Sequence, residues 1–162
     1  MMDSSKTRFA TEVQTAFVTP QPTVTPNTSK ALADNCEQQV IEAVNQVRRD
    51  NGLLPLLYNP LLSAAAHQYA NFIASRDLLS HTVDGRTFDQ RDVAAGYSGW
   101  TVVGENLAGG YATAEEAMAA WLASPGHRKN ILNPAFLETG VGCTWNTNSS
   151  YGYFWVQEFG AR

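Results

Sequence analysis

The chain is expected to fold as an α+β domain, a three-layer α/β/α sandwich around a small antiparallel sheet. Helical periodicity dominates the first part of the domain. Three strand-like stretches follow: "TVVGENLA" (101–108), "ETGVGCTWN" (138–146) and "YFWVQEF" (153–159). The last two flank the turn sequence "TNSSYG" and read as a hairpin. Helices on either side of so small a sheet need both of its faces to bury their apolar stripes.

Residues 1–33 stand apart from the domain at 34–162. The stretch "FVTPQPTVTPNTS" (17–29) is rich in Pro and Thr and reads as an extended linker. Upstream of it, Phe9, Val13, Phe17 and Val18 are scattered among polar residues, and disorder is the default for such a terminus. Contact with a neighbouring copy, giving self-association through residues 1–33, is one expected role for this arm.

The domain opens with Asp34 and, three residues on, Glu37, a capping-box-like pair ahead of Val40, Ile41, Val44 and Val47. Asn51-Gly52 closes that helix. Asn59-Pro60, a cap followed by a first-turn proline, starts a second helix with an apolar face of Leu62, Ala65, Ala66, Tyr69, Phe72 and Ile73. A polar loop, "SHTVDGRTFDQRD", is expected next. Thr113 and Glu116 form a second capping box before Met118, Trp121 and Leu122. Ser124-Pro125 then restarts the chain as a short helical turn. Along 138–146, Val141, Cys143 and Trp145 share one strand face and Gly140 and Gly142 the other, where a helix is expected to pack closely.

Composition narrows the function. The 162 residues suffice for one domain. A formal net charge of −4 with no Lys/Arg stripe argues against a nucleic-acid partner. No apolar run reaches the ~18 residues of a membrane span, and "MMDSSKTRFATEV" lacks the apolar core of an export signal. Cys36 and Cys143 are too few for a zinc knuckle. Helix-on-sheet packing would bring them together, so a disulfide is expected, with two buried thiols as the alternative.

Candidate chemistry rests on His67, His81, Glu105 and His127. His67 lies within a helix and reads as a locally bonded structural residue. Glu105 interrupts an apolar strand between Val103 and Leu107 and needs a partner there: a histidine, an arginine, a helix N-terminus or water. The spacing of His81, Glu105 and His127 matches no local metal motif. Read on their own, they are as well described by two surface histidines and an edge-strand carboxylate.

"GENLAGG" (104–110), "SPGHRKNILNPAF" (124–136), "ETGVG" (138–142) and "YFWVQEFG" occur in the order and near the spacing seen in the CAP superfamily of cysteine-rich secretory, antigen 5 and pathogenesis-related proteins. With "VIEAVNQVRRDNGLLPL" and "SHTVDGRTFDQR", the chain resembles the bacterial branch of these SCP domains over about residues 36–161. The resemblance implies a cleft lined by His81, Glu105 and His127. The place of a second cleft glutamate, three residues after Trp121, is held by Ser124. It also implies a divalent metal, zinc before calcium, on His81, Glu105 and His127.

The function expected from this resemblance is that of a secreted or cell-surface module that binds a small molecule, lipid, glycan or protein without turnover. Two rivals stand beside it. One is a metal-assisted or Ser/His hydrolase using Ser124 and His127, although a Ser before Pro is more often a cap than a nucleophile and no G-x-S-x-G elbow is present. The other is a structural subunit of an extracellular assembly, linked by residues 1–33.

Overall fold

The computed structural model describes residues 7–10, 14–15 and 26–162, with side chains from Asn35 onward. Strands β1 (Thr7–Ala10) and β2 (Gln14–Thr15) precede helix α1 (Pro26–Asp50). Then come β3 (Leu57–Tyr58), α2 (Pro60–Arg76), α3 (Phe88–Ala94), β4 (Val102–Gly109), α4 (Ala114–Ala123), α5 (Pro125–Ile131), β5 (Glu138–Trp145) and β6 (Tyr153–Ala161).

The sheet runs β1-β4-β6-β5-β3, with β2 also beside β4. Its antiparallel centre, β4-β6-β5, is the small sheet the sequence predicts, and β5 and β6 form the expected hairpin. Three short strands make the whole sheet mixed: β1 and β2 run parallel to β4, and β3 runs parallel to β5. Strand alternation sends Val102, Ala108, Val141, Trp155 and Phe159 to one face, against α1, α4 and α5. Leu107, Phe154 and Val156 go to the other, against α2, while Val103 packs with Phe88 of α3. The three-layer α/β/α sandwich is therefore present.

Helix starts follow their caps. Asn59 Oδ1 accepts from the Leu61 and Leu62 N–H groups at 2.9 and 3.3 Å, and Pro60 occupies the first turn. Thr113 Oγ1 accepts from Glu116 N–H at 3.2 Å, while the Glu116 carboxylate reaches back to Thr113 N–H at 3.3 Å. Ser124 stands at the start of α5, but its side chain makes no capping hydrogen bond; its carbonyl takes Arg128 N–H at 2.9 Å.

Three expectations at the level of elements are corrected. α1 begins at Pro26, not at Asp34, because proline in the first turn forfeits no intrahelical bond. Glu37 is consequently an interior residue that turns toward α2, where its carboxylate meets Ser63 Oγ and, at 3.5 Å, His67 Nε2. The end of the expected polar loop is helix α3, whose Gln90 side chain accepts from Thr87 N–H at 3.1 Å. The terminus expected to be disordered contributes β1 and β2. The Pro/Thr-rich stretch from 17 to 25 lies outside the described residues.

Two devices hold the layers in register. On β5, Gly140 and Gly142 admit the α2 backbone. A Cβ on Gly140 would lie 2.0 Å from Ser63 N, and one on Gly142 2.4 Å from His67 N. On the opposite side Arg48, 1% exposed, reaches from α1 to the carbonyls of Leu54, Ile131, Asn133 and Phe136 at 2.8–3.2 Å. Those bonds satisfy carbonyls of the loop after α1 and of the end of α5 and the segment leading into β5. Cys36 of α1 and Cys143 of β5, 107 positions apart in sequence, form a disulfide with Cα atoms 6.7 Å apart.

Gly140→Ala is expected to lower unfolding free energy by about 3 kcal/mol or more, since α2 must retreat from the sheet. A urea midpoint unchanged from wild type would show that the close approach is dispensable. Iodoacetamide is expected to label neither cysteine of the native or denatured protein until a reductant is added, as read by intact mass. The closed loop is worth about 4–5 kcal/mol in the chain-entropy model.

Candidate functional site

Glu105 is fully buried on β4, and its side chain faces the α2/α3 layer. A carboxylate there needs partners, and two groups provide them. His81 Nδ1 lies 2.6 Å from Oε1, and Arg91 Nη2, which carries the counter-charge, lies 2.5 Å from Oε2. Arg91, on α3, is itself buried, with its guanidinium carbon 3.4 Å from the centre of the Tyr69 ring. Its Nη1 reaches the carbonyls of His81 and Arg86, each at 3.0 Å, and Asp84 Oδ1 at 3.3 Å. One side chain thus ties the 80–87 loop to the sheet. Tyr69 reinforces the tie, since its hydroxyl donates to the Ser80 carbonyl and accepts from Val83 N–H.

Below this pair lies excess negative charge. Glu158 of β6 stands directly across the ladder from Glu105, and both are fully buried. Asp92, also fully buried, has no hydrogen-bond partner for either oxygen. Burial first, and then the Glu105 charge, pushes the Asp92 carboxyl up to about 8. Burial, with Asp92 and Glu105 nearby, likewise holds Glu158 well above the carboxylate range. Burial opposes the charge of Arg91, but Glu105 and Glu158 more than offset it and raise its pKa. The physical solution is one ionised carboxylate on the guanidinium and two that keep their protons.

His127 comes from the other layer. It is fully buried on α5, and its carbonyl accepts from Asn106 Nδ2 at 3.3 Å. Asn106 is the next residue along β4 from Glu105, so its side chain points to the opposite face. Asn130 completes the link, donating to Asn106 Oδ1 at 2.9 Å and to the Glu105 carbonyl at 3.3 Å. Neither ring nitrogen of His127 has a hydrogen-bond partner. Burial, reinforced by the charge of His81, lowers its pKa to about 4. The structure therefore joins His81 to Glu105 directly, and His127 to them through the β4 backbone and through space. Ser124 is half-buried one turn away and makes no bond to the His127 ring. His67 stays with Glu37 on α2.

Among the described residues, no group of three or more His, Cys, Asp or Glu side chains is arranged to hold a metal ion. Arg91 and His81 already take the two oxygens of Glu105, and the guanidinium puts a permanent positive charge beside it. As arranged, His81, Glu105 and His127 do not fit a zinc site.

Sequence reasoning missed Arg91, Asp92 and Glu158. The first two fell in the supposed loop, although Thr87-x-x-Gln90 is a legible helix start. Glu158 sits in "VQEF", where a lone carboxylate interrupts an apolar strand as Glu105 does. Beside this cluster a cavity of about 230 Å³ opens, lined by Ala65, Gln68, Tyr69, Phe72, Asp84, Arg86 and Arg91.

Arg91→Leu is expected to destabilise the fold by about 3–5 kcal/mol, because Glu105 is left buried without its counter-charge. The folded pKa of Asp92, about 8, lies above its unfolded value. Asp92 therefore costs little stability at acid pH, and the cost grows as pH rises from about 4 to 8. Asp92→Asn should reduce that decline, leaving the part that belongs to Glu158, as read from urea midpoints at pH 5 and pH 8; an unaltered difference between the two would refute it. His127 has the opposite sign. Its contribution is present above about 6.5 and is lost as pH falls toward 4.

A family model described as the cysteine-rich secretory protein family, CAP, matches residues 41–159. Bacillus subtilis YkwD, an uncharacterized protein, is 34% identical over 146 residues, which make up 89% of this chain and 54% of YkwD. The chain thus spans about half the length of this relative. Among solved structures, an extracellular SCP-domain protein from Bacillus anthracis superposes with a TM-score of 0.78 at 26% identity, over 88% of this chain and 45% of that one. An outer surface protein of Borrelia burgdorferi gives 0.71 at 25% identity, over 77% of this chain and 91% of that one. With its sandwich, its Gly-Glu-Asn strand and its Gly-His turn, this chain belongs to the cysteine-rich secretory protein (CAP) family.

Proposed function

We propose that this CAP domain is an extracellular module that acts by binding a ligand and does not turn one over. The cavity of about 230 Å³ between α2 and the 80–87 loop carries this reading. Tyr69 and Phe72 give it apolar wall area, and Gln68 and Arg86 supply polar groups at its rim, the mixture typical of a site that orients a small ligand. Arg91 and Tyr69 hold its loop in place, so the cavity is preformed. The descriptions of the two solved relatives, one extracellular and one an outer surface protein, support the location. The Cys36–Cys143 disulfide suits an oxidising compartment.

Hydrolysis is less well supported. Nucleophilic catalysis needs a base in hydrogen-bond reach of the nucleophile. The His127 ring makes no hydrogen bond to Ser124 and has no exposed surface. The imidazole is neutral at pH 7, yet it is sealed from a substrate.

Two measurements test the reading. Wild type and His127→Ala are expected to hydrolyse p-nitrophenyl acetate at the same background rate; excess turnover lost in the variant would favour a hydrolase. In NMR titrations with octanoate, N-acetylglucosamine oligomers and a short peptide, at least one probe should shift the resonances of Gln68, Phe72 and Arg86. Phe72→Ala should weaken that probe roughly tenfold. Silence from all three classes would sink the cavity as the binding site.

A further inference from the structure

We propose that the outer edge of β4 is a binding site for an extended peptide, filled in this chain by its own residues 7–10 and 14–15 as a displaceable segment. This inference stands on backbone pairing and does not rest on the cavity beside Tyr69.

β4 is paired along its whole length with β6 on one side, from Val102↔Ala161 to Gly109↔Phe154. Gly110 N–H donates to the carbonyl of Tyr153, its opposite number in the same register. Alternation along the strand then turns the N–H groups of Val103, Glu105, Leu107 and Gly109 away from β6. Bare, that row of N–H groups would be an open sheet edge on a strand whose eight residues are all buried.

β1 and β2 are what lies along it. Thr7–Ala10 runs parallel to β4 from Val102 to Glu105, and Gln14–Thr15 from Ala108 to Gly109. From Ala10 to Gln14 the arm takes one residue more than β4 takes from Glu105 to Ala108, so the pairing is two short ladders rather than one continuous strand. In a parallel ladder a residue bonds to the neighbours of its opposite number. Phe9, opposite Gly104, therefore spans Val103 and Glu105, and Gln14, opposite Ala108, spans Leu107 and Gly109. Such pairing recognises backbone and so takes any extended peptide of compatible side chains.

The docked strand also passes the site already described. Ala10 lies opposite Glu105, the residue that His81 and Arg91 hold from one face and that adjoins Asn106, the partner of His127, on the other. Displacing the strand would uncover the β4 backbone at the point where the two layers meet.

The test uses the full chain carrying Phe9→Pro and Gln14→Pro, which remove the two arm N–H groups aimed at β4. Amide hydrogen exchange is followed residue by residue. The outward amides of Val103, Glu105 and Gly109 are expected to exchange at least tenfold faster than in wild type, while the inward amides of Asn106 and Ala108 keep their rates. A synthetic peptide of residues 5–17, added in excess, should restore the outward amides to wild-type protection. Equal loss at inward and outward amides, or failure of the variant to fold, would show the arm to be an integral strand and overturn the proposal. Faster outward exchange that the peptide does not reverse would overturn it as well, by showing that the edge does not accept a strand in trans.

Discussion

The buried pair of Arg91 and Glu105 is the constraint around which the α2/α3 side of the molecule is arranged. A carboxylate in the middle of a fully buried strand is tolerable only with a counter-charge at bonding distance, and one guanidinium supplies it at 2.5 Å. The same guanidinium stacks on Tyr69 and binds two loop carbonyls, so neutralising Glu105 also fixes the 80–87 loop. Because one arginine cannot balance three buried carboxylates, Asp92 and Glu158 retain protons.

The other face solves a different problem with similar means. Arg48 has no carboxylate; it is satisfied by four backbone carbonyls from the segment between α5 and β5 and from the loop after α1. Charge–dipole bonds of that kind pin irregular chain that apolar packing alone would leave free to shift. Together with the glycine-lined approach of α2 to β5, they set the spacing of the three layers to within the width of a methyl group.

β4 is where the two sides communicate. Alternation places Glu105 and Asn106 on opposite faces, so the Gly-Glu-Asn triplet hands His81 to one layer and His127 to the other. The family motifs are therefore physical before they are chemical. The glutamate anchors a loop through Arg91, and the asparagine anchors α5 through the His127 carbonyl and Asn130. The cavity beside this arrangement is walled by Tyr69, Phe72 and Gln68, whereas the imidazole of His127 is sealed in the interior.

Periodicity and capping chemistry in the sequence alone settled the helices at 60–76 and 114–123, the hairpin of β5 and β6 and the two faces of β5, because each is a local pattern repeated over enough residues to be unambiguous; the family was legible only as a resemblance carried by several motifs in order. The same reasoning reached His81 and Glu105 and required a partner for the carboxylate. It did not say that the partners would be Arg91 and His81 together, nor that Glu158 would stand across the ladder, because strand register and helix docking join residues far apart in the chain. The pairing of residues 7–10 and 14–15 with β4 belongs to the same class: no local signal marks it. Tertiary structure alone decided which buried charges are paired and which are protonated, since the energy of an ion in the core depends on distances to other charges and on burial, neither of which is written in the order of residues.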